Sequence, residues 1–207
     1  EDLEAERVNA LYVMTHYLKA SQVPKSADPV FDGLITEHWE NGPIQKTAQW
    51  VLQNKNQSRV IEFGSSVGGL AHRLGSQVNR YLGIDSSFLS VALARHLVLG
   101  AHYPPTSQNP GAIPGDLISG AASVQAQLPP HLSGASAGKI DFILADIASV
   151  EIKPASFDVS IALGLIDMLD ESGAFLNQRG VAASGDQFCL RPQLGHQAFQ
   201  NSVDHPE

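Results

Sequence analysis

The sequence predicts an α/β fold, a Rossmann-like three-layer sandwich around a mainly parallel sheet, and three observations carry the prediction. From Ser58 onward short apolar runs alternate with stretches of helical periodicity, a glycine-rich bend follows the first run, and acids stand at the ends of the later ones. Parallel neighbours in a sheet need a crossover between them, so the order strand, helix, strand, helix argues for a sheet covered by helices on both faces.

Residues 2–20 place Leu3, Val8, Leu11, Tyr12 and Leu18 near helical spacing, with acids in the first turn, and are read as an amphipathic helix. A second helix is expected over 43–54, opened by Pro43 at a first-turn position. Residues 1–57 thus form a helical preface. Arg59–Phe63 is an apolar run between a polar stretch and a glycine cluster, the profile of a buried first strand. Val67, Leu70, Leu74 and Val78 then repeat as one face of a helix. The second strand, Tyr81 to Ile84, runs into Asp85, and Ser86 or Ser87 can cap a helix over Phe88–Leu99. Residues 101–138 hold six of the twelve prolines and are read as an inserted surface loop, with a short helix expected near 117–127. Strands resume at 140–146 and 157–163, and 165–178 look helical. Beyond Arg179 no apolar run stands out, so 179–207 is expected to be an irregular tail and the sheet to end, truncated, at its fourth strand inside a domain of residues 58–178. That strand would then present an apolar edge to be covered by the tail, a partner chain or a missing C-terminal segment.

Composition narrows the function. The 207 residues suffice for one domain with its own core, and 43% apolar against 16% charged residues excludes a solvated disordered chain. With 13 Lys and Arg against 21 Asp and Glu, the net charge of -8 lacks the basic excess that phosphate-neutralising proteins show, so no nucleic-acid partner is expected. The single Cys189 allows no intrachain disulfide and fits a reducing, cytoplasmic setting. No apolar stretch reaches the roughly 18 residues that a bilayer span requires, so no membrane partner is expected. The first residue is Glu1 rather than Met, and the chain is read as a fragment or processed product.

The chemistry gathers at strand ends. In Glu62-Phe63-Gly64-Ser65-Ser66-Val67-Gly68 the first glycine permits a tight turn, the second lets a ligand approach the backbone, and the N–H groups beyond it attract a carboxylate or phosphate. Asp85 lies 21 residues past Gly64, close to the offset at which an acid accepts both hydroxyls of a ribose; the plain alternative is that it caps the next helix. Asp146 ends the third strand, and Ser156-Phe157-Asp158-Val159 leads through the fourth to Gly164.

This ordered set, Glu-x-Gly-x-x-x-Gly, Gly-Ile-Asp, then Ala-Asp and Phe-Asp-Val, resembles the class I S-adenosylmethionine-dependent methyltransferases over residues 58–176. The resemblance implies S-adenosyl-L-methionine (SAM) as cofactor and a small-molecule methyl acceptor. Glu62, Gly64, Ser65, Ser66 and Gly68 match the motif that holds the methionine end, and Asp85 with Ser86 the ribose site. Asp146 and Ile147 match positions beside the adenine, and Ala162, Leu163 and Gly164 the strand end lining the sulfonium and acceptor. Ser66 departs from the family where a middle glycine is common, which narrows backbone freedom in the loop. NAD-dependent oxidoreductases share the glycine turn, but their fingerprint has glycine at the Ser66 position and no need of the later acidic pair. A narrower similarity, through Thr15-His16-Tyr17, Gly115-Asp116-Leu117 and Leu165-Ile166-Asp167-Met168-Leu169, is to the N-methyltransferases of ovothiol synthesis, whose acceptor is 4-mercaptohistidine.

No catalytic residue stands out. Asp167 is nearest by chain position but reads better as a solvated helix residue, the eight histidines show no metal-ligand spacing, and Trp39 and Trp50 either cover the cofactor or pack in the core. A non-catalytic cofactor-binding or interaction module remains the alternative to an active enzyme.

Overall fold

The computed structural model describes residues 12–19, 41–55, 57–101, 130–134, 136–147, 149–165 and 187–190, with single positions 9, 21, 33, 37 and 40. Among the described residues five strands, β1 (Arg59–Phe63), β2 (Arg80–Asp85), β3 (Ile140–Leu144), β4 (Val159–Leu163) and β5 (Gln187–Leu190), form one sheet in the order β3-β2-β1-β4-β5, every neighbouring pair parallel. The order reverses between β1 and β4, which creates a crevice beyond their carboxyl ends, where open α/β sheets take their ligands.

Three helices belong to the described core: α1 (Pro43–Asn54), α2 (Gly69–Leu74) and α3 (Phe88–Leu99). Pro43 opens α1 at its first position, where its missing N–H is no loss. Ser87 caps α3, accepting the Ser90 N–H at 3.3 Å, and left-handed Gly100 closes it. Val67 to Val78 does not form the single helix that the periodicity predicts. Here α2 stops at Leu74, Gly75 turns out at φ 49°, and a short 3-10 turn over Gly75–Gln77 carries the chain to Val78. Val78 is still buried with Leu70 and Leu74, so the apolar spacing reports burial correctly while the glycine interrupts the helix.

Alternation along the strands divides the core. Val60, Tyr81, Phe142, Val159 and Ile161 pack with Leu70, Leu74, Ala94 and Val98 beneath the helices, whereas Ile61, Phe63, Ile84, Ile147, Phe157 and Ala162 form the cluster on the opposite face. At the entrance of β1 and β4, Asp158 accepts the Arg59 backbone N–H at 2.7 Å and both arms of its guanidinium, at 3.1 and 2.7 Å, which sets the register of this central pair.

β5 corrects the expectation of a truncated sheet with an irregular tail. Gln187–Leu190 pairs with Ser160–Leu163, so a segment of the expected tail covers the edge of β4, and no partner chain is needed along these residues. Four residues between polar flanks carry too little alternation to be read as a strand, and it is pairing with β4 that defines them. The N-terminal segment is helical at 12–17, and its buried line runs through Asn9, Val13 and Leu18 rather than through Tyr12, which is 38% exposed. Trp50 packs against the helical-face core. The helices expected at 117–127 and 165–178, Trp39 and Asp167 lie outside the described residues. No described helix is long and apolar enough to cross a membrane.

Gly83 leaves no room for a side chain on the helical face of the sheet, since a Cβ there would stand 2.5 Å from Phe142 Cδ1 and 2.8 Å from Ser65 Oγ. Gly83→Ala is therefore expected to cost about 2 kcal/mol through overpacking, measured as a lower midpoint of denaturant unfolding at unchanged slope.

Candidate functional site

The bend after β1 is held by β2. Gly64 and Ser65 both donate their backbone N–H to the Ile84 carbonyl, at 2.8 and 3.0 Å, and the Gly68 N–H closes the turn on the Ser65 carbonyl at 3.0 Å. Gly64 and Gly68 have φ of 73° and 81°, and at Gly68 a Cβ would meet Val98 and Phe142 at 2.8 and 2.9 Å. Ser66, the departure from the family pattern, also takes a left-handed φ of 49°, at a cost of about 1 kcal/mol for a residue with a Cβ. Its N–H donates to Asp85 Oδ2 at 2.8 Å, which offsets that cost.

Asp85 does more than end its strand. Oδ1 accepts the Ser87 N–H at 2.9 Å while Oδ2 takes Ser66, so the carboxylate ties the loop after β1 to the loop after β2. It does not cap α3, a role that belongs to Ser87. A carboxylate has about four acceptor positions, and two are used among the described residues, which leaves one on each oxygen for a diol. The Asp85 carbonyl receives the Ala145 N–H at 3.0 Å and so draws in the end of β3 as well.

Glu62 lies on the helical face, 3% exposed, and accepts a hydrogen bond from the Tyr81 hydroxyl. The pairing follows from register: Tyr81 stands opposite Val60, which makes Glu62 its diagonal neighbour on the same face. Burial pushes the Glu62 carboxyl up to about 8, the Tyr81 hydrogen bond opposes this, and the nearby Asp85 charge adds to it. No ion pair with Glu62 is formed among the described residues.

Of the remaining sequence-predicted residues four stand at strand ends and two are buried in the core. Ser86 and Asp146 are exposed at the ends of β2 and β3, and Leu163 and Gly164 are half-buried at the end of β4. Gly64 meets the segment that leaves β4 there, a Cβ on Gly64 standing 3.3 Å from Leu165 Cδ1. Ile147 and Ala162 are buried in the core cluster of the other face. Among the described residues no group of three His, Cys, Asp or Glu is placed to hold a metal. Sequence reasoning missed Tyr81, whose contact with Glu62 requires knowing that β1 and β2 pair, and gave Tyr17 no role.

The residues present fit an adenosyl ligand with an amino-acid end. Ser65 Oγ and Ser66 Oγ are buried in the turn without a hydrogen-bond partner among the described residues, available to a carboxylate, and Glu62 and the two open positions of Asp85 suit an ammonium and a diol.

No protein-family model and no curated protein matches the chain. Solved structures do share its fold. Magnesium protoporphyrin IX methyltransferase from Synechocystis PCC 6803 with bound SAM aligns with TM-score 0.50 at 15% identity, covering 81% of this chain and 64% of that one. The same enzyme with bound S-adenosylhomocysteine (SAH) gives 0.49 at 16%, covering 81% and 61%. An S-adenosylmethionine-dependent methyltransferase from Mesorhizobium loti gives 0.43 at 13%, covering 73% and 51%. The chain thus spans less than two thirds of the solved chains it resembles, and the α/β fold is the one it shares with the SAM-bound Synechocystis enzyme.

The Glu62 shift sets a direction for stability. The unfolded chain releases this proton near the ordinary value of 4.5 and the folded chain only near 8. The contribution of Glu62 is therefore full below pH 4.5 and is lost as pH rises through about 8. Glu62→Gln, which stays neutral, is expected to flatten the loss of stability between pH 5 and 8.5, read by urea unfolding at both values against the parent chain.

Proposed function

We propose that this chain binds SAM in the crevice beyond β1, β2 and β4 and transfers its methyl group to a small-molecule acceptor. The observation that carries the reading is Asp85, fixed by one backbone N–H on each oxygen and still able to accept two hydroxyls. The fold shared with the SAM-bound enzyme from Synechocystis supports it.

In this reading Asp85 takes the ribose diol, Ser65 and Ser66 the carboxylate, and Glu62 the ammonium of the amino-acid end. Asp146 and Ser86, exposed at the neighbouring strand ends, approach the adenine, while Leu163 and Gly164 border the reacting end. Ile147 and Ala162 form the wall behind them. When bound, the cofactor supplies a methyl on a sulfonium, already a good leaving group. The work left to the chain is orientation, namely holding the acceptor in line at near-attack distance with water kept out. An acceptor nitrogen with a free lone pair needs no strong base, only a neutral tautomer.

An imidazole nitrogen of 4-mercaptohistidine is the acceptor we assign for a first assay, on the sequence similarity of the N-terminal segment and the Leu165–Leu169 region. Cytoplasmic location belongs to the same proposal.

Calorimetric titration with SAH, with NAD+ in parallel, followed by a methylation assay on mercaptohistidine, tests the reading. SAH is expected to bind and NAD+ not to; tighter binding of NAD+ would overturn the cofactor assignment. SAH binding without turnover on any small acceptor would instead favour a binding module. Asp85→Asn, which removes the charge that the hydroxyls bond to, is expected to weaken SAH at least tenfold.

A further inference from the structure

We infer that Tyr17 is a positioning residue of the cofactor loop, which it holds through the Val67 carbonyl, so that docking of the N-terminal helical segment and filling of the crevice favour each other. The inference rests on the cofactor reading above and deepens it.

Tyr17 is half-buried, and its hydroxyl donates to the Val67 carbonyl at 2.6 Å, across 50 residues of sequence. Val67 lies in the middle of the glycine bend. Because a peptide unit is planar and trans, fixing the Val67 carbonyl also fixes the Gly68 N–H in the opposite direction, where it closes the turn on Ser65. Tyr17 thus sets one of the few peptide planes that shape the loop carrying Ser65 and Ser66. Burial and the nearby Glu62 raise the Tyr17 phenol, so it remains a donor at any working pH.

The segment bearing Tyr17 is locked onto the same corner by other contacts. Arg73 of α2 donates Nη2 to the His16 carbonyl at 3.1 Å and Nη1 to Gln45 of α1, joining three elements through one guanidinium. His16 lies so close to Gly69 that a Cβ there would stand 2.6 Å from the His16 Cβ. Val13 is buried with Val67 and Leu93, and Asn9 Oδ1 accepts the Ser90 hydroxyl at 2.8 Å. A loop held in its binding shape by a docked segment must, by reciprocity, hold that segment more firmly once ligand fills it.

The test uses the full chain and two substitutions in one segment. In the parent chain SAH is expected to slow amide hydrogen exchange over residues 12–18. Tyr17→Phe is expected to bind SAH about tenfold more weakly, the effect of leaving a buried carbonyl without its donor, and to lose that protection. Tyr12→Phe, an exposed position of the same segment with no bond to the loop, is expected to match the parent in both. Parental affinity in Tyr17→Phe, equal weakening in Tyr12→Phe, or no SAH-dependent protection of residues 12–18 in the parent chain overturns the inference. The last readout holds even if Tyr17→Phe fails to fold. A parent chain that binds no SAH overturns the cofactor reading itself, and this inference with it.

Discussion

The carboxylate of Asp85 is the constraint on which the rest of the site depends. Its two oxygens each accept one backbone N–H, from Ser66 and from Ser87, while the carbonyl of the same residue receives Ala145. One residue at the end of β2 therefore fixes the loops that follow β1, β2 and β3. The left-handed Ser66 shows what this does to the backbone, since a residue with a side chain holds a conformation that glycine usually takes, and the charge-assisted bond to Asp85 offsets the cost.

Next to that node the buried Glu62 carboxyl of β1 accepts a hydrogen bond from the Tyr81 hydroxyl of β2. On the helical side Tyr17 and Arg73 bring the N-terminal segment against Val67 and Gly69. Burial keeps the Glu62 carboxyl holding its proton well above the usual carboxylate range, and the nearby Asp85 charge adds to that.

Elements bounded by local chemistry were legible in the sequence. β1 begins and ends as read, because a polar stretch precedes it and Gly64 stops it; α1 and α3 are delimited by Pro43, Ser87 and Gly100, whose capping needs no tertiary partner. Asp85 could be picked by its distance from Gly64 along the chain, which two strands and one crossover helix determine. What depends on pairing was not legible. β5 is a strand because β4 lies beside it, Tyr81 meets Glu62 through the register of β1 with β2, and Gly75 ends α2 although the apolar spacing runs on to Val78. The role of Tyr17 likewise needs a contact between residues far apart in the chain.

A crystal structure of the chain grown with SAH tests the central claim most directly. The account predicts both ribose hydroxyl oxygens within about 3 Å of the Asp85 carboxylate, one on each oxygen, with the bonds from Ser66 and Ser87 intact. A nucleoside seated anywhere else, or one that binds only after Asp85 has released Ser66, would contradict it.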